Sequence, residues 1–168
     1  MKLHCKKLAV FVVGAFLIGG APTAYAVSNV SKIYDGDTIT MSNGEKVRLL
    51  QIDTPELASK ECYGNEARIA LVKLLNQSGK VFLTTDPKLD KIDRYGRSLR
   101  YVFIGNTNLN LKMVEIGAAA PYFYRSEKGV YAVQILKAAQ NAQKLGLGLW
   151  SLCPGTRLSP NHAVTTKA

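Results

Sequence analysis

The sequence predicts an α+β domain: a small five-stranded β-barrel with three α-helices against its ends. Three observations predict it. β-like segments come in two groups, three before a helical stretch and two after it. An Asn-Gly pair, Asn43-Gly44, joins two of the first group as a hairpin. Two further stretches with helical spacing follow the last strand, and strands of this number and length can close on themselves with helices sealing the open ends.

The first 26 residues are read apart from that fold. MKLHCKK is a basic start, LAVFVVGAFLIGG is an apolar run, and APTAYA places small residues at Ala24 and Ala26. This is the layout of a secretory signal peptide with cleavage after Ala26. An uncleaved membrane anchor is the alternative, but a span needs about 20 apolar residues and Pro22 interrupts the run. The domain then covers residues 27–157, and the protein is expected to be exported, either periplasmic or secreted, with no stable membrane association once the signal is removed. Loss of Lys2, Lys6 and Lys7 lowers the formal charge from +10 to +7. A compact basic domain outside the cytoplasm points to a polyanionic partner, nucleic acid or an anionic surface.

VSNVSKIY (Val27–Tyr34) is partly alternating, and DTITMS (Asp37–Ser42) leads through Asn43-Gly44 into EKVRLLQI. Antiparallel pairing of this hairpin brings Asp37, at the start of one strand, beside Asp53, at the end of the next. Gly64 to Gly79 has helical spacing, with Ala67, Leu71, Leu74 and Leu75 on one face. Lys80–Asp86 and Arg97–Ile104 are strands joined by the charged loop PKLDKIDRYG. Asn110–Gly117 is a short helix, Ala120–Ser126 is aromatic and irregular, and Gly129–Gly146 is the longest helix, with Val133, Leu136, Ala139 and Ala142 among its apolar positions. Ser, Pro, Thr and Gly dominate after Trp150, so residues 158–168 read as a flexible tail.

Several chemistries are excluded by inventory. The only histidine after the signal segment is His162, in the tail, which argues against a histidine base or nucleophile. Cys5 leaves with the signal, and the remaining pair, Cys62 and Cys153, reads as a disulfide in an oxidising compartment, two unpaired thiols being the alternative. Such a bond would close a loop of about 90 residues, worth roughly 4 kcal/mol by chain entropy. Two cysteines and one histidine are too few for a zinc site, and no Gly-rich phosphate loop or dinucleotide fingerprint is present. Carboxylates and arginines, with or without a metal, must carry any catalysis.

Three motifs supply them: YDGDT (Tyr34–Thr38), RLLQIDTPE (Arg48–Glu56) and DRYGRSL (Asp93–Leu99). In this order and spacing they resemble the staphylococcal nuclease (thermonuclease, micrococcal nuclease) family, over about Val30 to Trp150. The resemblance implies an OB-fold-type barrel and a calcium-dependent endonuclease that cuts DNA and RNA with little sequence preference, leaving 3′-phosphate ends. It implies one Ca²⁺ held by the Asp37 and Asp53 carboxylates and the Thr54 backbone carbonyl, a donor set suited to a hard cation. Arg48 and Arg97 would bind the scissile phosphate, since a guanidinium donates two parallel bonds and stays charged. Glu56 would accept a proton from, or orient, the attacking water. Tyr95, Tyr122 and Tyr124 match tyrosines beside the bound nucleotide, where stacking tolerates any base, and Lys88, Lys91 and Lys128 would add salt-sensitive attraction. A monomer is expected.

Strict strand alternation places Arg48 on the face of Leu50 and Ile52, opposite Asp53. Both can serve one phosphate only if the strand bends, bulges or has ended at Asp53, and a bulge is expected there. LASKEC, between Glu56 and Tyr63, is shorter than the corresponding staphylococcal loop and carries a cysteine, so Glu56 is expected on a tighter loop. The rival reading is a non-catalytic OB-fold protein that binds single-stranded nucleic acid. The presence of Asp37, Arg48, Asp53, Glu56 and Arg97 together argues against it.

Overall fold

A computed structural model describes residues 27–76 and 80–167. Residues 1–26, expected from the sequence to be a signal segment and including Cys5, lie outside the described residues, as does Gly79 at the expected end of the first helix. The hairpin forms as its sequence demands. Strands β2 (Thr38–Met41) and β3 (Lys46–Leu49) pair antiparallel, with Thr38 opposite Arg48 and Ile39 opposite Val47. In the connecting turn Gly44 has φ of 87°, a conformation that costs glycine little. The Asn43 side chain accepts from the Glu45 N–H at 3.0 Å.

Strand β1 (Val27–Ile33) pairs with β2 through its second half and with the later strand β5 (Lys80–Thr84) through its first. Its register shifts between Val30 and Lys32. A bulge of this kind lets one strand turn from one sheet into another. Strand β6 (Ser98–Ile104) pairs antiparallel with β5 and parallel with β3, Arg48 lying opposite Leu99. That parallel pairing closes a five-stranded barrel, β3-β2-β1-β5-β6, as the sequence predicted. Two short strands, β4 (Ile52–Asp53) and β7 (Thr107–Asn108), lie at its margins; β4 pairs with β8 (Ala120–Pro121).

Helices α1 (Gly64–Leu75), α2 (Leu109–Glu115) and α3 (Ala132–Lys144) correspond to the three expected, and a single further turn, α4 (Leu149–Leu152), follows. The apolar face of α3 is the expected one at Ala139 and Ala142, with Leu136 half-buried against the core, but not at Val133. Val133 is 64% exposed, whereas Ala132, Ile135, Ala139 and Ala142 are buried. Steps of three residues drift around a helix of 3.6 residues per turn; the observed steps of three, four and three stay on one face. The core inside the barrel and under the helices includes Ile39, Val47, Leu71, Tyr101, Met113 and Ile135. Within it, Asn110 is fully buried and staples the barrel. Its amide donates to the carbonyls of Leu50 at 2.9 Å and Arg100 at 3.2 Å and accepts from the Val102 N–H.

Cys62 and Cys153 are joined, with Cα atoms 5.7 Å apart. The segment after residue 157 has no regular structure, yet it does not hang loose. Val164 and Thr166 are buried, and the Phe123 N–H donates to the Pro160 carbonyl at 2.6 Å. The Ser/Pro/Thr composition misleads here because backbone groups and the Thr166 hydroxyl tie the segment down, with Val164 buried and Leu158 packed against the core.

Candidate active site

Three backbone devices bring charged groups to one end of the barrel. The first is Gly36, where a Cβ would lie 2.7 Å from Thr54 Cγ2 and 2.9 Å from Ala67 Cβ. Only glycine lets the start of β2 lie this close to the Thr54 loop and the first turn of α1. Asp37, one residue on, is buried with its bonds made. Oδ2 accepts from the Thr54 N–H at 2.9 Å and the Thr54 hydroxyl at 3.1 Å, and Oδ1 accepts from the Thr38 hydroxyl at 3.1 Å. Asp35 accepts from the Asp37 N–H at 3.0 Å.

The second device is a turn at Leu50–Gln51, between the end of β3 and the start of β4. Gln51 has φ of 63°, in the left-handed region. A non-glycine residue there costs of order 1–3 kcal/mol, so its surroundings must hold it. They do. The Gln51 carbonyl accepts from the Tyr122 N–H, its Nε2 donates to the Glu127 carbonyl and its Oε1 accepts from the Gly129 N–H, each at 2.9 Å. The turn breaks strand alternation and carries Asp53 to the Arg48 side. Arg48 Nη2 donates to Asp53 Oδ1 at 2.6 Å, while Nη1 lies 2.9 Å from Asp37 Oδ2 and donates to the Ile52 carbonyl at 2.9 Å.

The third device is the Asp93–Gly96 turn before β6. Asp93 Oδ1 accepts from the N–H groups of Tyr95 and Arg97 at 2.9 Å, and Oδ2 accepts from Arg97 Nε at 2.7 Å. Burial would raise the Asp93 carboxyl, but these donors and the Arg97 charge outweigh it and hold it below its ordinary value. Arg97 Nη1 reaches the Thr38 hydroxyl at 3.4 Å, which links it to Asp37 through one side chain.

Electrostatically the site is a set of acids around one buried cation. Burial pushes the Asp37 carboxyl up to about 7 against the pull of Arg48, with Asp35 and Asp53 adding to the rise. Burial likewise raises Asp53, opposed by Arg48 and by the Val164 N–H. Burial disfavours the Arg48 cation, but Asp37 and Asp53 outweigh that and hold it above its ordinary value. Glu56 is exposed at the start of the turn that follows Pro55 and is raised by partial burial, then by Asp35 and Asp53. Its backbone is pinned. The Glu56 N–H donates to Glu61 Oε2 and the Glu56 carbonyl accepts from the Glu61 N–H, each at 3.1 Å, and the next residue along, Cys62, carries the disulfide.

Among the described residues no three acidic, histidine or cysteine side chains cluster closely enough to hold a metal by themselves. Two carboxylates do face one another across Arg48, and Thr54, the residue after Asp53, ties its backbone to Asp37 through its N–H. Excess negative charge with only oxygen donors fits a hard cation, completed by a carbonyl and water.

A cleft of about 350 Å³ opens beside this end, lined by Arg48, Arg97, Tyr95, Tyr122 and Tyr124 together with Ile92 and Asp93. The rings of Tyr122 and Tyr124 lie 6.5 Å apart. The three lysines expected nearby, Lys88, Lys91 and Lys128, are exposed but do not line the cleft. Arg94 and Arg125 do, each with its guanidinium over a tyrosine ring, at 4.7 Å from Tyr95 and 5.1 Å from Tyr124. Sequence reading missed both, although each adjoins a tyrosine it singled out. It also passed over Asp35 and Gln51, which stand inside two of its own motifs.

Comparison with known proteins bears on this geometry. A family model described as staphylococcal nuclease homologue matches residues 46–152. A protein of Haemophilus influenzae named as an uncharacterized endonuclease is 39% identical over 126 residues, 73% of this chain and 65% of that protein. The chain thus spans less than two thirds of that relative. Thermonucleases of Staphylococcus intermedius and Staphylococcus hyicus are 35% and 37% identical over 129 residues, which cover 72% and 73% of this chain and 74% of each enzyme.

Proposed function

The chain belongs to the staphylococcal nuclease homologue family, and on that premise we propose that it is an exported, calcium-dependent nuclease that hydrolyses phosphodiester bonds of DNA and RNA. One observation carries the reading: Arg48 stands within bonding distance of both Asp37 and Asp53 and also lines a cleft shared with Arg97 and three tyrosines. Acid cluster, phosphate-binding cations and base-stacking rings are therefore contiguous.

Asp37, Asp53 and the Thr54 carbonyl would hold the metal. Calcium, when bound, supplies positive charge to a phosphate oxygen. Arg48 and Arg97 donate to the remaining phosphate oxygens and stabilise the charge that builds as phosphorus becomes five-coordinate. Asp93 sets the Arg97 guanidinium by its bond to Nε, leaving the Nη groups for phosphate. Glu56, raised but exposed to water, accepts the proton of an attacking water or orients it. Water's oxygen bonds phosphorus, the bond to the 5′ oxygen breaks, and the products are a 3′-phosphate and a 5′-hydroxyl. Tyr95, Tyr122 and Tyr124 offer faces to neighbouring bases, which favours single-stranded or breathing substrate.

Incubation of the purified protein with single-stranded DNA, with calcium or with a chelator, tests this. Cutting is expected only with calcium, and Glu56→Gln and Arg97→Ala are each expected to lower the rate by about 10²-fold or more. Tight binding without cutting in every condition would leave an OB-fold single-stranded nucleic-acid-binding protein instead.

A further inference from the structure

We propose that the C-terminal segment, residues 158–167, is a strap that positions the Asp53 carboxylate, and that the Val164 backbone amide is its positioning group. The proposal rests on the reading of Asp53 as a metal ligand. The strap lies beyond the stretch that the family model matches, which ends at residue 152.

The strap is fixed at three points. The Pro160 carbonyl accepts from the Phe123 N–H at 2.6 Å, between Tyr122 and Tyr124. The Val164 N–H donates to Asp53 Oδ2 at 2.8 Å. The Thr166 hydroxyl donates to the Cys62 carbonyl at 2.7 Å, on the disulfide-bearing turn that begins at Glu56. Val164 and Thr166 are buried while Ala163, Thr165 and Lys167 between and beside them are exposed, the alternation of an extended chain laid flat on a surface. Composition gave no sign of this, because a backbone amide is the active group and any residue but proline supplies one.

The geometry gives the contact a purpose. Asp53 Oδ1 is bound by Arg48 and Oδ2 by Val164, so the carboxylate is gripped from opposite sides and its plane cannot rotate freely. A carboxylate that must ligate a cation through so few protein donors gains affinity when its orientation is set beforehand, because outer partners that orient a ligand account for a measurable share of metal affinity. The strap does not line the cleft. It can therefore hold Asp53 from behind without blocking the path of a polynucleotide.

The test compares the full chain with Val164→Pro, which removes the amide hydrogen, and Val164→Ala, which keeps it and trims only the buried side chain. Calorimetric calcium titration without substrate is the main readout, with kcat and calcium dependence of cleavage beside it. Val164→Pro is expected to weaken calcium binding by about tenfold, with kcat at saturating calcium within a few-fold of the parent, and Val164→Ala is expected to bind as the parent does. Equal behaviour of all three proteins overturns the proposal, as does equal weakening by both variants, which marks simple packing. Tighter calcium binding by Val164→Pro overturns it too, since the strap would then compete with the ion. Should the parent chain bind no calcium, the nuclease reading loses its cofactor. The strap is then judged on the metal-free Asp53 carboxyl ¹³C signal, which must move in Val164→Pro and stay in Val164→Ala.

Discussion

The two walls of the site are built on opposite terms. At the acid end, Asp37, Asp53 and Arg48 are nearly removed from water, and their contacts fall between 2.6 and 3.2 Å. At the aromatic rim, Tyr95 and Tyr124 are 68% and 50% exposed and meet partner arginines over their rings, Arg94 also donating to the Tyr95 hydroxyl. Buried charges are costly, and apolar side chains of similar volume would often stabilise a fold more. A chain that keeps them is holding geometry for chemistry. The rim holds large, adaptable surfaces at little cost to the fold, which suits contact with many different bases. Substitutions at the acid end should therefore damage both folding and turnover, and those at the rim should touch substrate affinity alone.

The sharpest way to break that contrast is Arg48→Ala. It leaves two buried carboxylates facing each other without their shared cation, and removing one partner of such a group costs about 3–5 kcal/mol. Urea denaturation should register that loss, and cleavage should fall below detection. Arg48→Lys keeps the charge but cannot reach both carboxylates with a planar fork, so it should recover part of the stability and little of the rate. An Arg48→Ala protein as stable as the parent would mean that the buried carboxylates do not depend on their shared cation.

Replacing both Cys62 and Cys153 by serine comes next. The bond closes a separation of 91 residues, and its loss should cost roughly 4 kcal/mol by chain entropy. Because the turn from Glu56 to Cys62 is also held by Glu61 and by Thr166, turnover below the melting range should fall only a few-fold. A much larger drop would show that the disulfide, rather than these hydrogen bonds, sets the position of Glu56.

A smaller effect follows from pH. The folded Asp37 carboxyl is pushed up to about 7 from an ordinary 3.8. A raised carboxyl contributes stability that is present below the ordinary value and lost as pH climbs through the folded one, so the metal-free protein gives up this contribution between about pH 4 and pH 7. Below about 7 a calcium ion must also displace the Asp37 proton. Added calcium should therefore raise the melting temperature more at pH 8 than at pH 5, and a scan at the two values reads the difference. Equal shifts at both would remove Asp37 from the ligand set.

What the sequence made legible is what side-chain chemistry writes into it. The Asn43-Gly44 hairpin, the closed barrel and the three charged motifs could all be read, and the clash between Arg48 and Asp53 on an alternating strand led to an expected bulge, where the structure has instead a turn at Leu50–Gln51 between two strands. The nature of that break was not legible. A glutamine at φ of 63° carries no local signal, because Gln51 is held there by backbone groups of residues 122, 127 and 129. The docking of residues 158–167 was hidden for a related reason: two of its three anchoring bonds use the Pro160 carbonyl and the Val164 amide, and only the third uses a side chain, the Thr166 hydroxyl. Arg94 and Arg125 were overlooked because a cation beside a tyrosine in sequence faces its ring only when the turn permits it.

The mildest prediction belongs to the rim and tests the contrast from its other side. Tyr124 is half exposed and stands over the cleft, so its ring is available to a base without rearrangement. Stacking on one ring is worth about 1–3 kcal/mol, and the lower end applies here because Arg125 and neighbouring Tyr122 can cover part of the loss. Tyr124→Ala should raise KM for single-stranded DNA by about fivefold, near 1 kcal/mol, while kcat and the urea midpoint stay close to the parent values. Tyr124→Phe keeps the ring and should match the parent throughout. A fall in kcat with unchanged KM would mean that the tyrosine acts at the acid end, by placing the phosphate against Arg48, and the division between a wall for chemistry and a wall for grip would no longer hold.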